Sequence, residues 1–238
     1  MFGFRLKLTL LVIALLPVLL YLGFWQLSRY EQKLQLVQTY ESRQRLKPVM
    51  LTQVRQYDDP LYLPIVVNGH YDVERYFLLD NQVYQQQAGY DLFMPFQTDN
   101  GQWLLINRGW LPAGDRNTLP NIDTDSRHLT LKGVVYKPLG DAFLLGEDVW
   151  NDDWPKRIQS IDLAKMSQTI NETTPDFFMV LEGGEMGSKQ VRPLTMNMTS
   201  EKHRGYAFQW FAMALVLLTL YGYQMIRAGK KKNKNNDV

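Results

Sequence analysis

The chain has 238 residues, a formal net charge of +2 and no cysteine, which bounds it to one ordinary globular core plus apolar segments. Without cysteine there are no disulfides, no zinc–cysteine site, no thiolate catalysis and no thiol route for passing on a metal. The basic residues are dispersed except for one C-terminal cluster, so no basic stripe argues for nucleic acid, and that class of partner is set aside.

Residues 1–7 carry Arg5 and Lys7 and lead into an uncharged run, Leu8 to Phe24. With Trp25 and Leu27 this run reaches the ~20 residues that cross a ~30 Å hydrocarbon core, which predicts a transmembrane helix over 8–27. A cleaved signal peptide has an apolar stretch of only ~7 to 15 residues and a small-x-small cleavage site. This run ends instead in Tyr-Leu-Gly-Phe-Trp-Gln. Pro17 is tolerated inside a lipid-embedded helix, where it can kink the axis. Residues 31–46 are rich in helix formers, with apolar Leu34, Leu36, Val37 and Tyr40, so the helix is predicted to continue into water until Pro48 ends it.

A water-facing domain is predicted over 28–204, long enough at roughly 180 residues to bury a core. Its β-rich part, 61–182, shows short strand-like runs at Leu63 to Tyr71, Arg75 to Leu79, Tyr90 to Gln97, Gln102 to Asn107, Leu129 to Tyr136 and Phe177 to Leu181. These predict a mostly antiparallel sheet, barrel- or sandwich-like. Asn100-Gly101 predicts a type I′ hairpin turn, whose two central residues need positive φ. Leu111 to Ser126 and Gly140 to Pro155 read as long loops, and Gly183-Gly184 as a turn between strands. Ser160 to Ile170 reads as a short amphipathic helix with Ser160 as N-cap.

The second apolar run, Tyr206 to Tyr223 extending to Ile226, has aromatic residues at both ends and predicts a transmembrane helix over 205–226. From Phe211 to Leu220 it is apolar on every face, unlike the amphipathic core helix of a soluble protein. The tail, 227–238, carries Arg227, Lys230, Lys231, Lys232 and Lys234, against Arg192, Lys202 and Arg204 before the span. This bias places the C-terminus in the cytoplasm, and two spans then place the N-terminus there too. The expectation is an α+β membrane protein of the bacterial inner membrane with its central domain in the periplasm. The Lys/Asn composition of the tail predicts disorder.

No phosphate-binding glycine loop, nucleophile elbow, paired metal-binding histidines or dinucleotide fingerprint is present. Glu147, Asp148, Asp152 and Asp153 lack the alternating ligand spacing of a calcium loop and read as a solvated loop. The chain is therefore expected not to be an enzyme. A membrane-tethered enzyme remains as an alternative, and would bring Asp58, Asp59, His70 and Asp72 together in a cleft.

Of three histidines, His70 and His128 fall in the β-rich part, where a structural or surface role is the default. His203 lies three residues before the second span, with Tyr206, Ala207 and Trp210 on the same helix face. An imidazole rimmed by aromatic rings at that depth suits an axial ligand for a membrane-soluble haem. The plainer account makes His203 a headgroup-level hydrogen-bonding residue and Trp210 an interface anchor. Trp25, Gln26 and Arg29 form a comparable group at the end of the first span, either as local cation–π packing or as lining of a site shared with His203.

The same residues carry a family resemblance. GFWQLSRYEQK at Gly23 to Lys33, NGHY at Asn68 to Tyr71, Gly89-Tyr90 followed by Pro95, LLINRGWLP at Leu104 to Pro112, Trp154 before a basic pair, and HRGYAFQWF at His203 to Phe211 occur in order along nearly the whole chain. The pattern resembles the surfeit-locus (Surf-one, or Shy-one in yeast) family of cytochrome c oxidase assembly proteins. The resemblance implies a two-span inner-membrane assembly factor that handles haem a for subunit one of the oxidase, with subunit one and haem a synthase as partners beside membrane lipid. It implies His203 as the haem-iron ligand, with Tyr206, Trp210, Trp25, Gln26 and Arg29 nearby. A scaffold that stabilises an oxidase intermediate without binding haem is the alternative within that family. The chain departs from the pattern just before the histidine: Thr199-Ser200-Glu201-Lys202 stands where many members have asparagine, and Asn197 lies six residues upstream. Arg108 and Trp110 are expected to fix the turn at Gly109, or else to face a partner.

Overall fold

The computed structural model describes residues 2–114, 118–138, 148, 150–192, 194 and 200–234, and side chains from residue 6 to 227 within these. Its elements in chain order are α1 (Phe2–Arg43), β1 (Val49–Met50), a 3-10 turn (Leu51–Gln56), β2 (Pro64–Tyr71), β3 (Phe77–Tyr84), β4 (Gln87–Thr98), β5 (Trp103–Pro112), β6 (Leu129–Tyr136), β7 (Lys156–Ile158), α2 (Leu163–Thr169), β8 (Phe178–Leu181) and α3 (Glu201–Lys234). The chain divides into two compact units: residues 1–38 with 194–238, and residues 39–193.

The first unit is helical. Among the described residues, two helices are long and apolar enough to cross a membrane, one within Leu6–Arg43 and one within Glu201–Arg227. Pro17 lies inside α1 without ending it. Within this unit the Thr9 and Tyr221 hydroxyls hydrogen-bond at 3.0 Å, so each hydroxyl of the pair has a partner inside an apolar span. α3 continues to Lys234, so most of the basic tail is helical backbone and not the disorder its composition predicts. Lysine and arginine are good helix formers, and their charge suits a helix C-terminus.

The second unit is a closed five-stranded barrel. Hydrogen-bonded neighbours run β2–β6–β8–β5–β4, and a further β4–β2 pairing closes the ring. β4 makes this possible by serving two neighbours: its first half, Gln87 to Phe93, pairs with β3, and its end, Phe96 to Thr98, pairs with β2. Pairing is mostly antiparallel, as predicted, with parallel contacts at β1–β2, β3–β7 and β5–β8. Alternate residues fill the main core, among them Ile65, Val67, Leu92, Met94, Phe96, Leu104, Ile106, Leu131, Val135, Met179 and Leu181. Part of the opposite face is also buried, although Thr130, Lys132 and His70 on it are exposed. There Phe93 and Phe178 meet edge-on at 5.0 Å, and Phe178, Tyr136, Tyr62 and Tyr40 continue the row of rings. Burial beside Tyr136 and Tyr40 pushes the Tyr62 phenol up to about 12.

Three local expectations need correction. The β4–β5 hairpin exists, but Asn100 does not take positive φ; only Gly101 does, at 74°. Gly101 N–H donates to Thr98 O and Thr98 N–H to Gln102 O, so Asp99 to Gly101 form a three-residue loop with the glycine in the left-handed position. The I′ geometry sits instead at Gln85–Gln86 (φ 48° and 65°), between paired Tyr84 and Gln87. The N-cap of α2 is Asp162 and not Ser160: its carboxylate accepts from Lys165 N–H at 2.9 Å. Lastly, the predicted loop from Leu111 begins two residues late, because Leu111 and Pro112 belong to β5. Most of the predicted 140–155 loop, including Glu147, lies outside the described residues.

Candidate functional site in the helical unit

α3 begins with Glu201, whose carboxylate pairs with Arg204 at 2.8 Å, and His203 N–H donates to Ser200 O in the first turn. An acidic residue there complements the helix dipole. His203 is thus fixed in the first turn of α3, half-buried. Its Nδ1 lies 2.8 Å from Gln26 Oε1 on α1. An amide oxygen can only accept, so Nδ1 is the donor in this contact, and in the neutral imidazole the lone pair is then on Nε2.

A close helix approach brings these side chains within reach. Ala207, one turn past His203, is 3% exposed. Gly23, one turn before Gln26, faces the Phe211 ring so tightly that a Cβ there would come within 2.6 Å of it. Phe24 and Phe211 meet edge-on at 5.2 Å. Small residues at such a contact let helix backbones approach in the absence of any hydrophobic drive between them. Ala207 was placed on the His203 face and Gly23 in the GFWQ block, but their part in the helix contact was not legible, although a glycine inside an apolar run is the signal that points to such contacts.

The other predicted site residues are placed differently. The Arg29 guanidinium lies 5.8 Å from the Trp25 ring centroid and donates to Gln32 Oε1 at 3.0 Å, so the cation–π account of this pair is realised. Trp25 is 43% and Tyr206 52% exposed, and Trp210 is half-buried. Among the described residues no hydrogen bond or ring contact joins these four to His203. Tyr206 and Trp210, at i+3 and i+7, still share its helix face.

In the barrel the NRGW block is structural. β5 carries a bulge against β4 at Arg108–Gly109, between the pairs Asp91–Trp110 and Phe93–Asn107. Gly109 takes φ 105° there, its N–H bonded to Asn107 Oδ1 at 2.8 Å. Arg108, 1% exposed, donates to Gly187 O and Thr124 Oγ1 and stacks on Tyr71 at 4.6 Å. Burial pushes its guanidinium down and the Tyr71 phenol up. Trp110, 4% exposed, donates from Nε1 to Gln82 O at 2.9 Å.

His70 is exposed, and His128 Nε2 pairs with Asp99 Oδ1 at 2.8 Å on the surface. Asp72 binds Arg75, and Asp59 accepts from Leu61 N–H at 3.0 Å, so these carboxylates are held by their own neighbours. Asp148 accepts from Gln159 N–H at 2.9 Å, and no cluster suited to a metal ion occurs among the described residues.

The motif order along the chain is matched by comparison with known proteins: the profile described as the SURF1 family covers residues 13–215. The chain belongs to the SURF1 family. A SURF1-like protein of Rickettsia bellii is 25% identical over 221 residues, 90% of this chain and 88% of the relative. Surfeit locus protein 1 of Xenopus tropicalis is 28% identical over 246 residues, 91% of this chain and 75% of the relative. Cytochrome oxidase assembly protein SHY1 of Saccharomyces cerevisiae is 29% identical over 146 residues, 57% of this chain and 38% of the relative. The family match covers the barrel and reaches into both apolar runs, so it includes His203 and Gln26 as well as the NRGW block.

Proposed function

We propose that this protein assists assembly of a cytochrome c oxidase as a non-catalytic factor of the bacterial inner membrane, and that it holds haem a at His203 for delivery to subunit one. The named role of the yeast relative in cytochrome oxidase assembly supports the coarser part. The finer part is supported by the His203–Gln26 hydrogen bond, 2.8 Å long, which in the neutral imidazole directs the free lone pair to Nε2. The donor set therefore fits a haem iron. Bound there, haem a would supply an iron that takes a nitrogen ligand and an apolar macrocycle. His203 offers Nε2, while Tyr206, Trp210 and Trp25 offer partly exposed rings at the same end of the spans. Arg29 and Gln26 supply the polar groups of that end, and subunit one and haem a synthase are the partners this reading requires.

Purification of the full chain from cells that make haem a tests the reading. The wild type is expected to retain haem a pigment and His203→Ala to lose it, with a lowered haem a content in the oxidase of cells carrying the variant. Colourless wild-type protein together with a normal oxidase in the His203→Ala strain would leave a scaffold role and sink the haem role. A normal oxidase after deletion of the whole gene would overturn the assembly role as well.

A further inference from the structure

The contact between the two terminal helices does more than place His203. We infer that Gln26 is a positioning residue that selects the tautomer of His203: it draws the imidazole proton onto Nδ1 and leaves Nε2 as the ligating nitrogen, an inference that rests on the haem reading for its use but not for its geometry.

A neutral histidine side chain left to itself prefers the proton on Nε2, the nitrogen remote from the backbone. A site that presents Nε2 to a metal centre must therefore hold the proton on Nδ1 by giving that nitrogen an acceptor. Gln26 Oε1, 2.8 Å away, is such an acceptor. A glutamine does this without the charge of the carboxylate that more often stands behind a metal-bound histidine, which suits a position at the end of an apolar span where an unpaired charge is costly. The reach depends on the helix approach one turn away, where Gly23 meets Phe211 and Ala207 is buried. A side chain at Gly23 would come within 2.6 Å of the Phe211 ring, so that ring would have to shift to admit it.

The test is a nitrogen-15 spectrum of histidine-labelled, haem-free full-length protein in nanodiscs, at about pH 9, above the ordinary histidine range. With only three histidines, His203 is assigned by the signal lost in His203→Ala. The wild type is expected to show Nδ1 protonated and Nε2 unprotonated. Gln26→Met, of similar length but without an amide acceptor, should move the proton to Nε2. Gln26→Glu, which keeps an acceptor oxygen, should retain the wild-type tautomer. Haem a titration provides the second reading: Gln26→Met should weaken binding about 10- to 100-fold, and Gln26→Glu should restore it. An Nε2-protonated wild type, or a Gln26→Met spectrum unchanged from wild type, overturns the positioning role whatever haem does. The expected tautomers in a protein that binds no haem a would instead support the positioning and sink the haem reading.

Discussion

Asp91 and Arg192 show how a single pair holds the end of the barrel unit. Asp91 is 6% exposed, and Arg192 donates to its carboxylate and to Gln82 Oε1. Burial pushes the Asp91 carboxyl up, and the opposing effects of the Arg192 charge and hydrogen bond do not fully offset it. A folded pKa above the unfolded one means that the folded state binds more protons in between, so stability falls as pH rises from the ordinary carboxylate range through the folded pKa. Arg192→Met strands the buried carboxylate and should destabilise the protein by about 3 kcal/mol near neutral pH. The deficit should shrink as pH falls through the raised pKa and Asp91 is neutralised. Urea unfolding of the purified chain followed by tryptophan fluorescence at several pH values checks this; a deficit that does not vary with pH would show that Asp91 is not its source. At this scale legibility was uneven. The turn at Gly109 was readable from NRGW, whereas the burial of Arg108 was not, because an arginine is expected at the surface unless neutral acceptors and a ring happen to surround it.

The strands were legible where period-2 patterning ran long enough: β6 was located to the residue, β2 and β4 to within a few, and β5 over its first half, up to the bulge at Arg108–Gly109. β1 and β7, of two and three residues, were not, since so short a run carries no periodicity. The turns were misread for a different reason. Asn-Gly marks a residue able to take positive φ but not which loop length uses it, and Gln85–Gln86 carries no mark at all. Each glutamine held at positive φ is strained against its own Cβ. Replacing the pair with Asn-Gly should therefore stabilise the barrel by about 1 kcal/mol. Gly101→Ala, by contrast, should cost about 1 kcal/mol although its Cβ would meet nothing within 4 Å, because the cost lies in the backbone at φ 74°. Urea midpoints of the two variants moving in opposite directions would separate turn chemistry from packing, and equal shifts would refute the assignment of turn types.

For the whole molecule, the two apolar helices and the β unit between them were legible because membrane length and strand periodicity are properties of single segments. The barrel closure and the His203–Gln26 contact were not, since both are pairings between distant segments that no local pattern specifies. His203 was singled out by its place before the second span, and Gln26 by its neighbours in GFWQ, but only the structure joins them. Placement across the membrane follows a separate argument, the excess of basic residues after the second apolar run, and it predicts the barrel on the periplasmic face with both termini in the cytoplasm. The natural absence of cysteine makes this directly testable, because each introduced thiol is the only one present. Val83, 65% exposed on β3, and Asn236 in the tail are suitable positions. In cells with a permeabilised outer membrane, a membrane-impermeant maleimide should label Val83→Cys fully and leave Asn236→Cys unlabelled until the inner membrane is dissolved. Labelling of Asn236→Cys in intact spheroplasts, with Val83→Cys protected, would invert the topology and remove the periplasmic side as the place of the proposed haem site.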